Sequence, residues 1–135
     1  MDLRIILFED NIEDQVHFTK EFKDNNIPFI MIDHCEELSK EELDEINKLK
    51  PNLAIVDCHF GSETIDGINI VEFLNDYQEN ILIIICTKYV DIPNSRNRIM
   101  NDYENLPGVI KILGKNPMPS IHDIIVHYNN FRIRR

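Results

Sequence analysis

Pro51-Asn52-Leu53-Ala54-Ile55-Val56-Asp57 is the stretch on which the fold turns. Pro51 stops any helix before it, because proline has no N–H to give a helix interior. Leu53 to Val56 are then four apolar residues in a row that close on a carboxylate. A strand with one wet face would alternate; an unbroken apolar run is buried on both faces, as in a parallel sheet covered by helices. Leu3-Arg4-Ile5-Ile6-Leu7-Phe8, Pro28-Phe29-Ile30-Met31-Ile32-Asp33 and Ile81-Leu82-Ile83-Ile84-Ile85-Cys86 have the same character, and Val109-Ile110-Lys111-Ile112-Leu113 is a weaker fifth.

Helical spacing fills the intervals. Ile12, Val16, Phe18 and Phe22 can share a face, with Asn11 as N-cap and Asn25-Asn26 as stop. Glu36 to Lys50 sets Leu38, Leu43, Ile46 and Leu49 on one face among Glu and Lys. A third helix, carrying Ile68, Val71, Phe73 and Leu74, follows an Asp66-Gly67 turn. Ile99, Met100 and Tyr103 indicate a short fourth before Pro107-Gly108, and Ile121, Ile124, Ile125, Tyr128 and Phe131 a fifth. Strands alternating with helices require crossover connections and hence a parallel sheet with helices on both faces. The expected architecture is α/β: a flavodoxin-like (βα)5 doubly wound sheet of strand order 2-1-3-4-5.

The 135 residues, 43% of them hydrophobic, suffice for one core and predict a single domain over 1–135. The net charge of −10 opposes broad contact with phosphate backbones or anionic membranes, so neither nucleic acid nor membrane is an expected partner. Cys35, Cys58 and Cys86 lack the spacing of a metal site or a disulfide framework. No signal-peptide pattern follows Met1, and Ile81 to Cys86 is too short to span a bilayer, so a cytoplasmic location is expected.

In open parallel sheets ligands sit at the carboxyl ends of the strands. Here those ends offer Glu9 and Asp10, then Asp57, Thr87 and Lys115. Three carboxylates brought together repel and raise one another's pKa unless a cation neutralises them. A hard divalent ion such as Mg2+ suits oxygen ligands of this kind. The Lys115 ammonium and the Thr87 hydroxyl could serve phosphoryl oxygens, which makes Asp57 a candidate nucleophile for covalent phosphorylation.

Taken in order, these motifs resemble the receiver domains of two-component response regulators, the CheY-like group, over essentially the whole chain. Ile6-Leu7-Phe8-Glu9-Asp10-Asn11 is similar to the family's first strand and acidic pair, and Pro51 to Asp57 to its phosphoacceptor strand. Asp66-Gly67 is similar to the pair that opens the third helix. Thr87 ends the fourth strand, thirty residues after Asp57, and Lys115-Asn116-Pro117 resembles the Lys-Pro after the fifth. The resemblance implies that Asp57 accepts a phosphoryl group from a sensor histidine kinase or a histidine phosphotransfer protein. It further implies that Asp10 and Asp57 bind Mg2+, with Glu9 acting through water and the His59 backbone carbonyl as a further ligand. Thr87 and Lys115 would contact the phosphoryl oxygens. A phosphorylation-linked homodimer and an unnamed downstream protein are compatible outputs, since no helix-turn-helix or catalytic segment follows the fifth helix before Arg135.

The chain departs from that pattern in four ways. Lys88 stands where a small residue usually follows the switch Thr, and Ile112 where an aromatic usually precedes the Lys. The loop Cys58 to Ile65 and the segment Lys88 to Gly108 are longer than usual. Asn116 separates Lys115 from Pro117, which leaves a cis bond only at Asn116-Pro117. These changes motivate an alternative, a receiver-like module that binds partners without phosphorylation. A small Mg2+-dependent phosphatase is disfavoured, because His59 stands where haloacid-dehalogenase hydrolases carry a second Asp. Blander readings assign His17, His34 and His59 to the surface, Cys58 and Cys86 to the core, and Arg132, Arg134 and Arg135 to a helix C-terminus.

Overall fold

The computed structural model describes residues 2–34, 36–58, 64–78 and 80–133, with the backbone alone for 64–66 and 133. Five strands form one parallel sheet: β1 (Ile5–Phe8), β2 (Phe29–Ile32), β3 (Leu53–Val56), β4 (Leu82–Cys86) and β5 (Val109–Leu113), in the order β2-β1-β3-β4-β5. Five helices alternate with them: α1 (Ile12–Asp24), α2 (Lys40–Leu49), α3 (Thr64–Tyr77), α4 (Pro93–Tyr103) and α5 (Ile121–Ile133). A 3-10 turn, Lys88–Asp91, precedes α4. This is the doubly wound α/β architecture expected from the apolar runs.

β1, β3 and β4 are buried along their whole length, which is why they read as unbroken apolar runs, while the flanking β2 and β5 are only partly buried. Alternate residues feed two cores. Ile6, Phe8, Ala54, Val56, Ile83 and Ile85 meet Ile46, Val71, Ile99 and Tyr103 on one side. Ile5, Leu7, Leu53, Ile55, Leu82 and Ile84 meet Phe18, Phe22, Ile124 and Tyr128 on the other. Register places Phe8 beside Val56 and Ile32, so the residues after β1 and β3 emerge together.

Three helices differ from expectation. In α1, Asn11 caps as predicted, accepting the Asp14 N–H at 3.0 Å, and Phe18 and Phe22 are buried. Ile12 and Val16, however, are 74% and 63% exposed: at about 100° per residue they lie roughly 120° around the helix from Phe18 and Phe22, which fill the face that meets the sheet. α2 starts at Lys40 and not at Glu36, because Ser39 and Glu42 form a reciprocal capping box: Glu42 N–H donates to Ser39 Oγ (3.1 Å) and Ser39 N–H to Glu42 Oε1 (2.9 Å). Lys50, in the left-handed region at φ 53°, ends α2 just before Pro51. α3 starts at Thr64, so Asp66-Gly67 lies inside its first turn and is not a separate turn. Gly67 is required there by space: a Cβ would overlap the Tyr103 hydroxyl and sit 2.6 Å from the Cys58 Cα.

Candidate functional site

Backbone hydrogen bonds continue past the strands and bring their ends together. Glu9 N–H donates to the Ile32 carbonyl, Asp57 N–H to that of Phe8 (both 3.1 Å), and Thr87 N–H to that of Leu113 (2.9 Å). Glu9 leaves the central strand buried, Asp10 is exposed, and Asp57 lies at the floor of a cleft of about 300 Å³. Asp10, Asn11, Asp14, Asp57, Lys88, Tyr89 and Lys115 line that cleft.

Carboxylate oxygens of Glu9, Asp10 and Asp57 lie within 4.8 Å of one another. Glu9 is 1% exposed, and its Oε2 is a buried atom that has no hydrogen-bond partner among the described residues. Burial, then the charge of Asp57, pushes the Glu9 carboxyl up to about 9. An all-oxygen set at one point, with an orphaned buried oxygen and a carboxyl driven towards its neutral form by burial and then by the charge of Asp57, fits a hard divalent cation such as Mg2+. The His59 carbonyl, expected as a further ligand, falls outside the described residues.

Lys115 is the counter-charge. Its Nζ donates to Glu9 Oε1 at 2.6 Å, Asp14 Oδ2 at 2.8 Å and Asp57 Oδ2 at 3.2 Å, with the side chain 10% exposed. Burial by itself would lower its pKa, but the charge of Asp57 and hydrogen bonds to Asp14 and Glu9 outweigh burial and raise it, so the ammonium stays charged. Its loop is held from the other side by Asp91, whose Oδ2 accepts the N–H groups of Lys115 (2.8 Å) and Asn116 (3.1 Å). Gly114 leaves room for that carboxylate; a Cβ would stand 2.6 Å from Asp91 Oδ2 and closer to Oδ1. The Asn116–Pro117 peptide bond is cis.

Thr87 is fully buried, and its Oγ1 accepts from the Cys58 thiol at 3.0 Å and from the Tyr89 N–H at 3.3 Å, which starts the 3-10 turn. It lies beneath the cleft and is not part of its wall. Lys88 points over the Tyr89 ring, Nζ to centroid 5.3 Å, and lines the cleft from its exposed rim. Ile112 is partly buried beside the core that includes Tyr103, whose hydroxyl donates to the Cys58 carbonyl at 3.4 Å. The surface and core assignments divide. Cys58 and Cys86 are buried free thiols, and burial pushes Cys58 up to about 11. His34 is half-buried and bonds Glu42 at 2.7 Å, and His17 lies 2.8 Å from the Pro119 carbonyl.

Sequence reasoning missed Asp14 and Asp91. Asp14 had a signal, since it is an acidic residue in the first turn of the helix that Asn11 caps, directly after Glu9 and Asp10; Asp91 had none, because its role depends on the fold of the 3-10 turn.

The fold is that of CheY-like response regulator receiver domains. The chain is similar to a CheY-like receiver domain protein from Methanospirillum hungatei JF-1, at 15% identity and a TM-score of 0.67, over 96% of this chain and 93% of that one. It is likewise similar to the signal receiver domain of an HD domain-containing protein from Pseudomonas fluorescens Pf-5, at 12% identity and a TM-score of 0.70, over 96% and 94% of the two chains. A response regulator from Burkholderia pseudomallei, solved with a phosphorylated aspartic acid, calcium ion and citrate, aligns at 19% identity and a TM-score of 0.65, over 93% of this chain and 66% of that one. No protein-family model and no curated protein matches the sequence. No helix among the described residues is long and apolar enough to cross a membrane.

Proposed function

We propose that this chain, which carries the receiver fold, is a phosphoacceptor in a two-component relay and that Asp57 is the residue phosphorylated. The observation that carries this reading is the convergence of Glu9, Asp10 and Asp57 oxygens within 4.8 Å, with the Lys115 ammonium bonded to both Glu9 and Asp57. An Asp57 carboxylate oxygen would attack phosphorus of a donor phosphohistidine; an O–P bond forms, the P–N bond breaks, and the imidazole leaves with the bonding pair. Lys115 would move its donor from Asp57 to the equatorial phosphoryl oxygens, and Thr87 would offer its hydroxyl once released from Cys58 and Tyr89. Asp10 and Asp57, with Glu9 acting through water and the His59 carbonyl as a further ligand, would hold Mg2+, which would supply charge neutralisation at the transferring group.

On this reading the donor is a sensor histidine kinase or a histidine phosphotransfer protein, and residues 1–135 act as one receiver unit in the cytoplasm. Output passes to another protein or to a second copy of the chain, without direct contact to nucleic acid, as the net charge of −10 suggests. Apart from self-phosphorylation by small donors and loss of its own phosphoryl group, the domain is not an enzyme. Incubation with radiolabelled acetyl phosphate tests the reading. Label that requires Mg2+ and disappears in Asp57→Asn supports it; label retained by that variant overturns it.

One observation favours the second reading, a binding module that works without phosphorylation. Thr87 Oγ1 is engaged beneath the cleft and Lys88 sits at its rim, so the switch begins from an occupied arrangement. Spectra unchanged by Mg2+ with beryllofluoride, a phosphoryl analogue, would select that reading.

A further inference from the structure

An ammonium has three N–H donors, and Lys115 gives one to each of three carboxylates. Two of these, on Glu9 and Asp57, lie at strand ends. The third, Asp14, comes from the first turn of α1, a turn fixed by its own N–H bond to the Asn11 side chain. Asp14 is partly buried in the cleft wall, and its 2.8 Å contact to Lys115 is shorter than the 3.2 Å contact made by Asp57. Burial opposes its ionisation, but the neighbouring Glu9 carboxyl and the Lys115 ammonium outweigh that and hold it below the usual carboxylate range, so it is charged at neutral pH.

Resting on the phosphoacceptor reading, we propose that Asp14 is a positioning residue that detains the Lys115 ammonium in the unphosphorylated protein and competes for it with the phosphoryl group on Asp57. An acyl phosphate brings about one further negative charge and new acceptor oxygens. Lys115 can turn towards them the donor it gives Asp57, but its Nζ stays tethered by the two shorter bonds, and Asp14 holds one of these. Asp14 also keeps a fixed negative charge beside the arriving phosphoryl group. Both effects oppose the phosphorylated state, so Asp14 sets how readily the site accepts and keeps its phosphoryl group.

The consequence has a sign that a purely structural role would not give. Asp14→Asn removes the negative charge that Lys115 faces, leaving at most a neutral amide acceptor, and so lowers or leaves unchanged the melting temperature of the apo protein, yet it tightens binding of a phosphoryl analogue. Beryllofluoride affinity, measured by calorimetry at saturating Mg2+, is expected to rise roughly tenfold in Asp14→Asn, equivalent to about 1.4 kcal/mol. Asp14→Glu, which keeps the charge, is expected to bind as the wild type does. Affinity that is unchanged or weaker in Asp14→Asn overturns the inference while leaving the phosphoacceptor reading intact. Wild-type protein that neither binds beryllofluoride nor accepts label overturns both.

Discussion

Mg2+ uptake at the proposed site should be a proton-releasing event, because of Glu9. In the metal-free protein its carboxyl is raised to about 9, by burial and then by the charge of Asp57. At about pH 7 it is therefore protonated in most molecules. A metal ion at the Glu9, Asp10 and Asp57 oxygens favours the carboxylate, so uptake should expel close to one proton per ion. Below the Glu9 pKa the logarithm of the affinity then rises by nearly one per pH unit, about 1.4 kcal/mol. Between about pH 6.5 and about pH 8.5 the dissociation constant should fall by up to roughly 100-fold and then level off above about pH 9. Calorimetry in two buffers of different ionisation enthalpy counts the protons directly. Glu9→Gln, which has none to release, should lose most of the pH slope. The same shift acts on folding. The folded state holds the Glu9 proton more tightly than the unfolded state does, so its contribution to stability is fully present below the ordinary carboxylate range and is lost as pH rises towards about 9. Mg2+ should offset that loss. Mg2+ uptake with no proton release and no pH slope, or no difference between wild type and Glu9→Gln, would refute the reasoning.

Three further outcomes follow from the same contacts. Lys115→Met leaves Glu9, Asp14 and Asp57 facing one another without their ammonium and should cost about 3 kcal/mol near pH 8 by urea denaturation, less near pH 5, where carboxyls take up protons. Gly67→Ala should destabilise by about 1–3 kcal/mol, because its Cβ meets both Tyr103 and Cys58. Adding Tyr103→Phe should restore only part of that loss, since the Cys58 backbone stays in the way. Gly114→Ala should dislodge Asp91 from the Lys115 and Asn116 amides and lower both stability and phosphoryl uptake; if Asp91→Ala costs as much and the double variant no more, the two act as one unit.

The strands were legible because parallel strands buried on both faces leave no alternation to misread, and β1, β3 and β4 are buried at every position. Their ends were legible for the same reason: Glu9, Asp57 and Thr87 are polar residues directly after apolar runs. Helix limits were harder to place. Leu38 falls at helical spacing from Ile46 and Leu49, which hides the true start at Ser39, although Ser39 and Glu42 have the capping-box spacing. Gly67 carried two meanings, a turn or a close approach, and only the position of Tyr103 chooses between them. Ile12 and Val16 have helical spacing with each other but lie roughly 120° around the helix from Phe18 and Phe22, so they face solvent while the phenylalanines meet the sheet. The partners of Thr87 and Lys115, namely Cys58, Asp14 and Asp91, are set by how loops from different strands meet, and residue spacing does not encode that.

The central claim is that the Asp57 carboxylate is the acceptor in a site completed by Mg2+ and Lys115. Intact-mass spectrometry after exposure to acetyl phosphate tests it most directly, with the modified residue located by borohydride trapping of the acyl phosphate. The expected result is one added phosphoryl group, dependent on Mg2+, trapped at Asp57, and lost in Asp57→Asn. A phosphoryl group on another residue, or none on protein that binds Mg2+, would contradict the claim.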